Sequence, residues 1–101
     1  MARLRLPDEP TEVILTEWTS PASFGAHHDN ANRLGLFRVA LGVDDTRAIY
    51  DQAIAAGWKF HAPPINRRLG GTNIPDMWIT MTRDPDNVPF EFVERPRSAF
   101  R

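Results

Sequence analysis

The segment from residue 35 to residue 57 places the tightest limit on the fold. Phe37, Val39, Leu41 and Val43 recur at every second position and share one side, while Leu36, Arg38 and Ala40 take the other. That period belongs to a strand, and this strand has one wholly apolar side. It runs into Asp44 and Asp45, whose short acidic side chains cap helices. Ile49, Tyr50, Ala53 and Ile54 follow at helical spacing up to Gly57, so a helix is expected over about 46–56. An amphipathic helix that follows such a strand at once can bury its apolar stripe only by folding back over the strand's apolar side.

The rest of the chain reads as strands and turns. Residues 2–6 alternate, with Leu4 and Leu6 opposite Arg3 and Arg5. Pro7, Asp8, Glu9 and Pro10 supply a turn, and 12–19 (EVILTEWT) is a second strand of β-branched and aromatic residues. The two form a hairpin. Ser20 to Arg33 is polar, without periodicity, and reads as a linker. After the helix, Trp58 to Ala62 suits a short strand. Pro63, Pro64, Gly70, Gly71 and Pro75 then mark a long irregular loop bearing Arg67 and Arg68. Residues 77–83 (MWITMTR) and 89–94 (PFEFVE) form a second hairpin around Asp84, Pro85, Asp86 and Asn87. The fold class is α+β: a β-α-β-β-β unit preceded by an N-terminal β-hairpin.

Composition narrows the function. A chain of 101 residues closes one core. Its apolar fraction of 42% suits a globular domain, and it contains no run of the roughly 20 apolar residues needed to span a membrane. Twelve basic and thirteen acidic residues are mixed along the chain. That balance lacks the one-signed field of a nucleic-acid or anionic-membrane partner, so a small molecule or a protein is the expected partner. The absence of cysteine excludes disulfides and thiolate metal sites. With no apolar signal segment at Met1 to Pro10, a cytoplasmic location is the default expectation.

The two hairpins also resemble each other. LPDEPTEVILTEWTSP and DPDNVPFEFVERPRS each carry Pro-Asp at a turn, an apolar strand, then a glutamate and a nearby proline. Shared turn chemistry alone and duplicated architecture each account for this similarity.

Gly35-Leu36-Phe37-Arg38-Val39-Ala40-Leu41, then Val43-Asp44-Asp45, a helix ending at Ala56-Gly57, and Asp84-Pro85-Asp86-Asn87 before Phe90-Glu91-Phe92-Val93-Glu94 resemble the second βαβββ module of the vicinal oxygen chelate superfamily. That superfamily includes glyoxalases, bleomycin resistance proteins and extradiol dioxygenases. The ordered set covers about two-thirds of the chain. The resemblance implies one domain over 1–101: a hairpin at 1–21 closing an incomplete first module, a linker at 22–34, and a βαβββ module at 35–96. It implies a curved mixed sheet around a concave cavity. It also implies an N-terminally short chain, completed either by residues before Met1 or by a partner subunit in a homodimer with exchanged strands.

In the family, the first and last strands of each module present metal ligands to the cavity, typically histidine or glutamine and then glutamate. On this chain the first-strand position is Arg38, the last-strand position is Glu91, and the closing strand of the earlier module offers Ile14. Of these three only Glu91 is a ligand type, because guanidinium has no lone pair to give and isoleucine has no donor atom. No cofactor is therefore expected.

The expected cavity is lined by Ile14, Thr16, Trp18, Arg38, Ala40, Glu91 and Val93, and the leading expectation is a metal-free small-molecule-binding protein. Two alternatives stay open. One is a lyase, epimerase or dioxygenase in which Glu91 is catalytic, with zinc, nickel, manganese or iron held by ligands completed from a partner. The other is a degenerate dimerisation module. His27 and His28, adjacent in the linker, and the lone His61 read as structural or solvent-facing. Arg67 and Arg68 are candidates to clamp a carboxylate or phosphate, although consecutive loop arginines are more often solvated. Asp84 and Asp86 read as turn formers.

Overall fold

The computed structural model describes residues 1–30, 32, 34, 35, 38–67 and 77–95. The architecture is α+β, with two sheets and one helix. A two-stranded sheet pairs β1 (Ala2–Arg5) with β2 (Glu12–Leu15). A four-stranded mixed sheet is built from β3 (Val39–Val43), β4 (Ile65–Arg67), β5 (Met77–Arg83) and β6 (Pro89–Glu94) in the order β3-β6-β5-β4. Helix α1 (Thr46–Ala55) connects β3 to the rest of that sheet. From residue 39 the chain order is β-α-β-β-β.

The interior strand β6 sets the geometry. It pairs in parallel with β3, Leu41 opposite Phe92, and antiparallel with β5, Thr80 opposite Phe92. Because side chains alternate along a strand, Phe90, Phe92 and Glu94 take one face and Glu91 and Val93 the other. Helix α1 lies over the first face. There the Tyr50 and Phe60 rings meet edge-on at 5.0 Å, and Phe60 lies 6.5 Å from Phe92, which is buried.

The helix is held at its start by two acids. Asp45 is the N-cap, and its Oδ1 accepts a hydrogen bond from the Ala48 backbone N–H at 2.9 Å. Glu94, at the end of β6, accepts one from the Thr46 N–H at 2.7 Å, which fixes the first turn to the sheet. At the other end Gly57 takes a φ of +91°, a conformation costly for any residue with a Cβ, and stops the helix there.

The expected strand over 58–62 does not form as such. The Trp58 N–H is used by the helix end, donating to Ala53 O, and Pro63 and Pro64 have no N–H to offer a ladder. Pairing is reduced to a bridge between Phe60 and Thr82, and the strand begins instead at Ile65. Two buried threonines of β5 hold the irregular stretch in place: Thr82 donates to Lys59 O at 2.6 Å and Thr80 to Ala62 O at 3.1 Å. Arg67, expected in the loop, is the last residue of β4, while Arg68 lies outside the described residues.

The second hairpin matches its expected bounds. Asp84 builds the turn, its Oδ1 accepting from the Asp86 and Val88 N–H groups at 2.9 and 2.8 Å, and Asn87 adopts a φ of +68°. The first hairpin is shorter than expected and ends at Leu15. Its register places Leu4 opposite Val13 and Ala2 opposite Leu15 on an apolar side, with Arg3 opposite Ile14 and Arg5 opposite Glu12 on the other. Glu12 pairs with both arginines. The apolar side remains exposed at Leu4, Val13 and Leu15. The radius of gyration, 15.6 Å, exceeds the roughly 13 Å of a compact chain of this length.

The packing yields a stability prediction. Phe92→Ala removes the ring between β3, β5 and α1, and equilibrium urea unfolding should show a loss of about 3 kcal/mol. A loss below about 1 kcal/mol would mean that the face under α1 is not the core.

Candidate functional site

The sheet face opposite α1 collects the charged residues expected at the site. Ala40 pairs with Glu91, and Glu91 with Met81, so the three lie side by side on it. Glu91 is 5% exposed despite its charge. Arg38, just before β3, reaches it: Nε lies 3.0 Å from Oε2. A buried carboxylate without a counterion is costly, so the guanidinium explains how a glutamate persists at an interior strand position. The pairing also fixes the register, since a shift of one residue would turn Arg38 towards the helix.

Val93, two residues on from Glu91, pairs with Ile79 and Gly42. The floor beside the ion pair is therefore apolar and low, because Ala40 and Gly42 project almost nothing from β3. Met81 and Ile79 form the adjoining strip on β5. These two were not among the residues expected at the site, nor was Arg83, which pairs with Pro89 on the same face. Their signal lay in the alternation of MWITMTR, in which Met77, Ile79, Met81 and Arg83 share one side.

Four of the expected lining residues, Arg38, Ala40, Glu91 and Val93, thus fall on one face. Ile14, Thr16 and Trp18 do not sit on that sheet. Ile14 is on the two-stranded sheet beside Arg3, half exposed, and Thr16 and Trp18 lie beyond the end of β2 and are exposed. The expected continuous strand face through the three is cut at Leu15, where pairing with β1 runs out.

The histidines occupy the linker and a bend. The His27 and His28 rings meet edge-on at 4.6 Å. His27 Nδ1 lies 2.7 Å from the carbonyl of His28, and His28 Nε2 lies 3.3 Å from that of Leu34, so each ring nitrogen donates to the backbone. The neighbouring Asp29 is tied to the second hairpin through its carboxylate, which accepts from Asn87 Nδ2 at 2.7 Å. The backbone N–H of His61 donates to Met81 O. Asp84 is engaged in its turn, as expected. Among the described residues no group of three or more His, Asp or Glu side chains is gathered as a metal ion requires, and no helix is long and apolar enough to cross a membrane.

Compared with known proteins, the chain matches no family model, no curated protein and no solved structure. The site must be argued from its own geometry.

The ion pair can be tested directly. Arg38→Met leaves the Glu91 carboxylate buried without its guanidinium and should cost about 1 to 2 kcal/mol in urea unfolding, allowing for the half-exposed arginine. Adding Glu91→Leu should recover most of that loss. A double variant no more stable than Arg38→Met would show that the two residues are not coupled.

Proposed function

We propose that the chain is a small-molecule-binding protein of the vicinal oxygen chelate type that works without the usual divalent metal, with the sheet face around Arg38 and Glu91 as its binding surface. One observation carries this reading: a glutamate is buried and held by an arginine on the face that the helix does not cover. A charge in an interior strand is expensive to maintain for structure alone, because an apolar pair of similar volume fills such a place equally well. An oriented charged pair beside an apolar floor is what a binding site uses to fix a polar ligand.

The chain order β-α-β-β-β, with β3 parallel to β6, supports the βαβββ module implied by the sequence resemblance. The residues present do not fit the metal of that family. The position expected to coordinate is filled by Arg38, whose guanidinium already neutralises Glu91 and would repel a second cation there. Ile14 has no ligating atom, so only Glu91 remains.

The reading extends to a homodimer. A two-stranded hairpin is marginal on its own, and here its apolar side is exposed. Burial of that side against a second copy would stabilise the hairpin.

Metal analysis by mass spectrometry, after incubation with zinc, nickel, manganese or iron(II) and removal of excess ion, tests the proposal, with light scattering on the same samples. The expected result is a dimer carrying far less than one metal per chain. Stoichiometric metal would replace this reading with a metal-dependent enzyme whose ligands are completed across subunits. Arg38→His should raise metal retention, since it restores a donor beside Glu91.

A further inference from the structure

We propose that the chain works as a homodimer in which the hairpin of each copy lies across the open sheet face of the other. The inference rests on the homodimer of the reading above and deepens it by naming the surface that the hairpin covers.

Area comes first. The chain exposes 8300 Å². A compact folded chain of 11.5 kDa exposes roughly 5,800 Å², so about 2,500 Å² is left over. That is the scale of an obligate homodimer, whose interfaces total about 2,000 to 5,000 Å² over both chains. Of the described aliphatic and aromatic residues other than proline, Phe92 is the one that is buried. More apolar surface than this must leave water for a domain of this length to hold together, and a second copy supplies the cover.

Two apolar faces are open. On the hairpin, Ala2 and Leu4 share a side with Val13 and Leu15, and Leu6 continues the alternation. Leu4 and Leu15 are 54% and 53% exposed. The other side does not suit an apolar partner, because Glu12 pairs there with Arg3 and Arg5. On the four-stranded sheet, the register sets Ile65 beside Ile79, Ile79 beside Val93 and Val93 beside Gly42. These residues form an apolar band straight across the face away from α1, and Ile65 is 47% exposed.

Size decides how the two faces meet. Two hairpins packed on each other would join a handful of apolar residues per chain, far short of the roughly 20 a side that a stable interface uses. Laying each hairpin on the partner's sheet engages both apolar faces of both chains, so the contact occurs twice. The dimensions agree as well. The band spans three strand spacings, about 14 Å, and four steps of β-strand from Ala2 to Leu6 also cover about 14 Å. A hairpin crossing the strands steeply therefore covers the band from β4 to β3, in the manner of sheets packed near right angles. The binding surface then lies between two chains, with the sheet and its Arg38–Glu91 pair on one side and the partner's hairpin on the other.

The chain has no cysteine, so introduced thiols report on chosen pairs. Val13→Cys and Ile79→Cys chains are unfolded together in urea, refolded as a mixture and treated with a short bis-maleimide, and the joined peptides are read by mass spectrometry. Each chain carries one thiol, so a link between the two sites joins two chains. The hairpin-to-sheet link should be at least about fivefold more abundant than with Arg3→Cys in place of Val13→Cys, because Arg3 lies on the charged side. Light scattering on the unmodified chain should show a dimer, and its urea midpoint should rise with chain concentration. A monomer at every concentration would overturn the inference together with the homodimer. A dimer giving hairpin-to-hairpin links alone would overturn the docking and leave the homodimer. So would a dimer in which the Val13→Cys/Ile79→Cys double variant links within one chain. The metal-free binding surface is read separately by metal analysis and stands or falls apart from these results.

Discussion

Strand β6 occupies the middle of the four-stranded sheet, hydrogen-bonded to a parallel neighbour on one side and an antiparallel one on the other. Its alternation decides which side chains meet the helix and which do not. Phe90, Phe92 and Glu94 turn towards α1, where Phe92 enters the core and Glu94 binds the first turn of the helix. Glu91 and Val93 turn away. A single residue of slip would bury Glu91 under the helix and expose Phe92, so the register of this strand is specified by both faces at once. Core, helix position and the charged site all follow from that register.

The same constraint explains why the site sits on a face with little relief. On β3 the residues beside Glu91 and Val93 are Ala40 and Gly42, and nothing bulky rises from that edge. The apolar strip of β5 lies beside the ion pair, in which Glu91 is almost fully covered and Arg38 stays half exposed. What makes the site is the sheet itself: each functional side chain is placed by a strand register, the most rigid kind of support a small domain offers. The linker adds to this by hydrogen-bonding Asp29 to the turn of the second hairpin and to Arg83.

Much of this was legible in the residues. The helix start at Asp45, its stop at Gly57 and the second hairpin around Asp84 were readable because capping, left-handed glycine and Asx-turn chemistry are local. The Arg38–Glu91 contact was readable as well, since period-2 alternation on two strands places both on the side away from the helix. Strand β4 was not. A window of sequence shows that Trp58 to Ala62 has strand-like residues, but not that the helix end takes the Trp58 N–H or that threonines on a strand 18 and 23 residues later hold the carbonyls. The wall through Ile14, Thr16 and Trp18 failed for a related reason: alternation says which residues share a side only while pairing continues, and here it stops at Leu15.

The first hairpin stands as a separate sheet whose apolar side is open, which is where burial by a second copy would act. The central claim is that the face carrying Arg38 and Glu91 is the binding surface. The chain has three methionines: Met77 and Met81 lie on that face, and Met1 lies beside the first hairpin. Their methyl groups report separately in carbon-13 methionine NMR. With a panel of small anionic and neutral compounds, the account predicts saturable shifts of the Met81 and Met77 methyls while Met1 stays still. Shifts confined to Met1, or none at all three positions for any compound that binds by calorimetry, would contradict it.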